Sequence, residues 1–228
     1  MVRKIDSTYH QLLDARFQDT SQSTVEGSIN LAVDLYVDLL SIFHDPTQFD
    51  PQTFMHYPME VILDYLRQTH QLYLRKSFTD IEAGIESISS ATPTLSTIKA
   101  LSRNFFFSFR DHLQAHIKEE EQELFPYIDV ILRCAQAGEA IPTLALQQNP
   151  MEAMANHNDD LEDDLGKFIQ ALEDMHNPHK ESFGYRMLIT RLKLFELDLR
   201  IHGRLEDEVL IPQALQLQSE LAGKNLSD

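Results

Sequence analysis

"FRDHLQAHIKEEEQELFPY", residues 109–127, returns later in the chain as "FELDLRIHGRLEDEVLIPQ", residues 195–213. Aligned without gaps, both read F-x3-L-x2-H-x3-E-x3-L-[FI]-P. The alignment pairs Phe109 with Phe195, Leu113 with Leu199, His116 with His202, Glu120 with Glu206, Leu124 with Leu210 and Pro126 with Pro212. Apolar steps of three and four mark one face of an α-helix, and the histidine and glutamate share that face. A carboxylate turned into a packed interior is costly unless its charge is compensated. The repeat therefore raises the question of what the compensating partner is.

Helical periodicity extends outward on both sides. One pattern carries Ile62, Leu66, His70, Leu74, Phe78, Ile81, Ile85 and Ile88, and "SSATP" ends it. Thr92 is the expected N-cap of the next helix, with Pro93 at its first position. That second helix carries Ile98, Leu101, Phe105, Phe109, His112, His116, Glu120, Leu124 and Tyr127, and fades near "AQAGEAIPT". A third carries Met154, His157, Leu161, Leu165, Phe168, Leu172 and Met175, stopping at "HNPHKESFG". A fourth carries Leu188, Leu192, Phe195, Leu199, His202, Glu206 and Val209. No segment reads as a strand. The predicted fold is all-α, an up-down-up-down four-helix bundle over residues 58–218, with 219–228 as a tail.

Each stripe holds a histidine, and the spacings fix their heights. In an antiparallel hairpin, residues equally distant from the turn lie side by side. His70 and His116 are centred on Pro93. His116 and His157 are centred on 136.5, beside Gly138, and His157 and His202 on 179.5, beside Pro178. Each histidine lies about 20 residues from its turn, within reach of an ordinary bundle helix at ~1.5 Å per residue. Four imidazoles thus share one level, and Glu120 and Glu206 each sit one turn beyond a histidine.

Four imidazoles and two carboxylates form a metal site by inventory, and they exceed what a closed tetrahedral zinc site uses. Two carboxylates can bridge two metals inside a bundle. Mixed imidazole and carboxylate ligation suits iron, manganese or zinc rather than calcium or magnesium. Asp198 and His112 each stand one turn before a ligand histidine and are candidates for orienting it or relaying protons. "NFFFSF", residues 104–109, reads as core packing in preference to a gas channel.

With His70, H116-x3-E120-x3-LFP, His157 and H202-x3-E206-x3-LIP, the chain resembles the hemerythrin-like (HHE cation-binding) family. Within it, the chain is most similar to the di-iron proteins called Repair of Iron Centres. The resemblance implies two non-haem irons, one held by His70 and His116 and the other by His157 and His202. Glu120 and Glu206 would bridge them, with an oxo or hydroxo ligand between the metals. The implied function lies in oxidative or nitrosative stress, as iron–sulfur cluster repair by iron donation or by nitric oxide and oxygen chemistry. The alternative is a module that binds or senses oxygen or nitric oxide. Implied partners are those gases and damaged or apo iron–sulfur proteins, with the chain a monomer or dimer. Oxygen-carrying hemerythrins place a second histidine where this chain has Leu161, and they use H-x4-D in the last helix, a spacing met here by Asp207. Repair proteins commonly add an N-terminal cysteine pair, whereas the single cysteine here is Cys134.

Composition narrows the partners. A formal charge of −17 disfavours nucleic-acid backbones and anionic membranes. No apolar run is long enough to span a bilayer, the first 20 residues lack the apolar core of a secretory signal, and one cysteine forms no internal disulfide. The expected location is cytoplasmic. Residues 1–57 read as a helical extension and linker. Val25, Ile29, Val33, Tyr36, Val37, Leu40 and Phe43 repeat at helical spacing, and Pro46, Pro51 and Pro58 punctuate the stretch that follows.

Overall fold

The computed structural model describes residues 2–17, 26–151, 161–175 and 182–224. Among them, every regular element is helical. Two helices open the chain, α1 (Val2–Phe17) and α2 (Glu26–His44), and a single short turn of helix follows, α3 (Pro51–Phe54). Next come α4 (Met59–Leu72), α5 (Phe78–Glu86), α6 (Pro93–Glu119), α7 (Phe125–Ala137) and the short α8 (Thr143–Gln147). The last three are α9 (Leu161–Asp174), α10 (Phe183–Leu205) and α11 (Ile211–Lys224). Cap chemistry explains several boundaries. The Thr92 hydroxyl accepts from the Leu95 N–H at 3.3 Å, ahead of Pro93. Gly138 closes α7 at φ 69°, a left-handed turn that glycine adopts without a Cβ penalty. Asp45 and Asp50, each followed by proline, accept from the N–H groups of Thr47 and Gln52 and turn the chain twice.

The chain divides into two compact units, one of residues 1–69, 119–158 and 201–228, the other of 70–118 and 159–200. The second unit is a four-helix core. Tyr73, Phe78, Ile85, Ile98, Phe106, Phe109, Leu165, Leu172, Leu188 and Phe195 are among its buried residues. The pairings within this unit give its helix order. Phe78 meets Phe106, centred on residue 92, and Phe105 stacks on Phe168 at 3.9 Å, centred on 136.5. The Tyr185 hydroxyl donates to the Leu172 carbonyl, centred on 178.5. These centres reproduce the turn positions read from the histidine spacings. Phe195 sets its edge against Tyr73, Phe78 and Phe109, at 5.1, 6.1 and 6.2 Å between centroids. Of "NFFFSF", Phe106 and Phe109 are buried in the core and Phe105 packs against it, whereas Asn104, Phe107 and Ser108 are exposed.

In the first unit α1 packs on α2, with His10 Nδ1 and the Tyr36 hydroxyl 2.6 Å apart and the Tyr9 and Phe43 rings in contact. Residues 2–17 are polar and only weakly patterned in sequence. Their helix nonetheless buries Leu13 and Arg16, the Arg16 guanidinium lying 5.4 Å over the Tyr65 ring. The α2 face also needs correction. Val33 and Val37, expected inside, are 55% and 57% exposed, while Ala32, Leu35, Leu39 and Ile42 are buried. This helix is apolar on two stripes, so periodicity alone offers both faces. Phe49, Phe54 and Tyr57 of the proline-rich stretch are buried as well. The Gln213 side chain donates to the Met55 and Tyr57 carbonyls, and Arg67 pairs with Asp129 at 2.7 Å.

Three helical runs change winding along their length. Tyr73–Ser77, Glu120–Leu124 and Glu206–Leu210 are π-helical, and the N–H groups of Phe78, Phe125 and Ile211 reach back five residues to the carbonyls of Tyr73, Glu120 and Glu206. A π turn absorbs one extra residue, so the buried stripe resumes one position late. After Glu206 and Val209 a steady three-four pattern would continue to Gln213, yet the buried residues are Leu210, Ile211, Ala214 and Leu221. In the first run the buried residues step from Tyr73 to Phe78, a gap of five. Leu74, expected in the core, is therefore 43% exposed and Tyr73 takes its place.

Candidate metal centre

The ligand candidates stand beside these changes of winding. His70 stands in the last turn of α4, three residues before Tyr73, and it is 1% exposed. Glu120 and Glu206 open their π segments, each one turn after the histidine of the repeat. Glu120 is 1% exposed, Glu206 6% and His202 7%. Four such groups withdrawn from water are unusual, since charged and titratable side chains are rarely buried without a partner.

His70, Glu120 and His202 each offer a ligand atom, and these atoms lie within 4.8 Å of one another. His202 Nε2 lies 3.6 Å from Glu206 Oε2. Glu206 stands beside Glu120, close enough for each carboxyl to feel the other's charge. Burial above all pushes the Glu206 carboxyl well above the usual carboxylate range, and the adjoining Glu120, then Asp207, push it further. Two carboxylates and two imidazoles converge in a buried interior, where negative charge is costly unless it is compensated. Such a donor set fits a cation of the iron, manganese or zinc class.

Of the six residues named from sequence, the structure thus brings together His70, Glu120 and His202, with Glu206 against both Glu120 and His202. His116 is half-buried one turn before Glu120 and stands outside that three-residue group. His157 lies outside the described residues, as does Met154. Asp207, the alternative at H-x4-D spacing, is exposed, whereas Glu206 faces inward. Leu161 is partly buried against the core of the second unit. His112 is exposed on α6, while Asp198 is 2% exposed. Cys134 is a buried free thiol.

The π segments are the feature that sequence reasoning missed. Their signal is present in two of three cases, because Pro126 and Pro212 follow two residues after the segments end. Proline has no N–H to donate and its ring crowds the carbonyl four residues back, so a regular α-turn is unavailable there. A surface cleft of about 580 Å³ is bounded by Asp163, Lys167, Gln170, Asp174 and Arg200. Its charged groups already pair, Arg200 with Asp163 and Glu196 and Lys167 with Asp164, and it carries no assignment.

A bundle with buried histidines and paired glutamates on its inner faces is the architecture of a metal-binding helical protein. The family model of the hemerythrin HHE cation-binding domain matches residues 61–214, about two thirds of the chain. The chain belongs to the hemerythrin HHE cation-binding family. Comparison with curated proteins and with solved structures gave no match. Among the described residues, no helix is long and apolar enough to cross a membrane.

Proposed function

We propose that the chain is a non-haem di-iron protein of oxidative or nitrosative stress, acting in iron–sulfur cluster repair from the cytoplasm. The observation that carries this reading is the buried group of His70, Glu120 and His202, with Glu206 beside Glu120. His116 and His157 would complete the ligand set with His70, His202, Glu120 and Glu206. Iron held there supplies one-electron chemistry toward oxygen and nitric oxide. The chain's own residues do the rest. The carboxylates would neutralise the cations and the imidazoles would fix their positions, in an interior where His70, Glu120, His202 and Glu206 are all buried. Exchangeable carboxylate donors also let iron pass to an apo or damaged iron–sulfur protein, the partner that this function requires.

The test is the iron content and near-ultraviolet spectrum of protein purified without added metal, beside His116→Ala and Glu206→Ala. The reading expects about two irons per wild-type chain, lost in both variants, and activation of an apo iron–sulfur protein by the loaded chain. Zinc alone would remove the redox chemistry. Stable iron with reversible gas binding and no activation of the apo protein would replace repair by sensing. Absence of metal, with both variants stable, would return the repeat to packing.

A further inference from the structure

The proline-rich stretch 45–57 does more than link α2 to α4. Its Phe49, Phe54 and Tyr57 side chains are buried, and α3 lies directly against the Glu206–Leu210 segment. Two grips fasten it to the helical run that carries His202 and Glu206. On one side of the π segment the Arg204 guanidinium sits 4.0 Å over the Phe49 ring and donates to both carboxylate oxygens of Glu208. On the other side the Gln213 amide donates to the Met55 and Tyr57 carbonyls at 3.0 and 3.1 Å. The stretch is itself stiff. Asp45 and Asp50 cap its two turns, and the Tyr57 hydroxyl ties its end to Asp38 of α2 at 2.7 Å.

Such grips matter because a π turn does not hold its own place. The extra residue can be taken up one position earlier or later along a helix, since the backbone bonds are the same in kind at each position. Pro212 disfavours a regular α-turn at its own position, but it does not choose among the turns before it. A shift of one residue swings the side chains it passes by about 100°, since a turn takes 3.6 residues. For Glu206 that is the difference between facing the other ligands and facing away. Anchors at Arg204 and Gln213 set the helical phase on each side, so the extra residue has to be taken up between them.

We propose that residues 45–57 are a strap that locks the register of the metal centre, with Gln213 as the positioning residue: by holding the helical run on both sides of Glu206–Leu210, the strap keeps the Glu206 carboxylate turned toward His202 and Glu120. The inference rests on Glu206 being a metal ligand. It gives a connecting stretch that contributes none of the ligand residues a share in the affinity of the site, exerted through the backbone of the segment it grips.

Amide hydrogen exchange and cobalt(II) titration of the metal-free, full-length chain test this, with Gln213→Ala, Gln213→Glu and Phe49→Leu beside wild type and thermal unfolding as the folding control. Glutamate keeps the shape of the side chain but offers no N–H to the two carbonyls. The N–H of Ile211 reports the π turn under the strap, since it bonds to the Glu206 carbonyl, and the N–H of Phe125 reports the matching turn at Glu120. We expect exchange to quicken at Ile211 and not at Phe125. Cobalt affinity should fall about tenfold in both Gln213 variants, the lower end of what losing a ligand-orienting partner costs, and less in Phe49→Leu. Cobalt affinity within about twofold of wild type in the folded variants, or exchange rising equally at both amides, would overturn the strap while leaving the metal centre intact. Failure of wild type itself to bind cobalt would overturn the centre and the role of the strap together.

Discussion

Glu206 shows at the scale of one residue why the site looks built for something other than stability. Its carboxyl has a folded pKa above its unfolded value, so the folded chain holds more protons than the unfolded chain between the ordinary value of about 4.3 and the raised one. Metal-free stability therefore falls as pH rises through that window, and the penalty is complete above it. Glu206→Gln keeps the shape without the charge. At pH 7 it should stabilise the metal-free protein by about 1–3 kcal/mol, raising Tm by a few degrees, flatten this part of the pH dependence, and abolish metal binding. Calorimetric melts from pH 5 to 8 decide the matter, and a lower Tm at pH 7 would show that Glu206 is favourably paired without metal. The identity of this residue was legible in sequence, because the H-x3-E repeat put it on the apolar face and left Asp207 off it. The contact with Glu120 was not legible, since it joins two helices 86 residues apart in the chain.

Elements carry a different lesson. Thr92, Pro93 and Gly138 announced their boundaries because cap and turn chemistry is local. The winding of the first run was hidden, because Ile62, Leu66, His70, Leu74 and Phe78 step by a constant four, between the periods of an α- and a π-helix. The extra residue of a π turn can be removed. Deleting Leu74 leaves Tyr73 and Phe78 four apart and both flanking faces in phase, so this variant should melt within a few degrees of wild type. Deleting the similarly exposed Phe107 rotates Leu95, Ile98 and Phe106 out of the core, at about 1.5–3 kcal/mol for each side chain, and should unfold the chain. Equal melting of the two deletions would refute the π assignment. Gly184 tests packing at the start of α10. A Cβ there would stand 2.6 Å from the Ser87 carbonyl oxygen, so Gly184→Ala should cost about 1–3 kcal/mol in urea unfolding.

For the whole molecule, the order of the bundle was legible from four histidines and three turns, and the observed pairings fall on the same centres. The packing of α1 was not, because a mostly polar helix declares its few buried residues only through the surface they meet. Binding a cation to the folded chain alone raises its stability by about 4 kcal/mol when the free metal stands a thousandfold above Kd. Tm should therefore climb with metal concentration, and a flat melt across an iron(II) or cobalt(II) series would contradict a folded-state site. The winding changes at residues 73, 120 and 206 bear also on descent. A helix inside a bundle ordinarily forbids loss of a single codon, because everything beyond the gap turns away from the core. Here three positions absorb such a loss by rewinding, so lineages of this chain can differ in length by one residue in the middle of a helix, with their loops untouched.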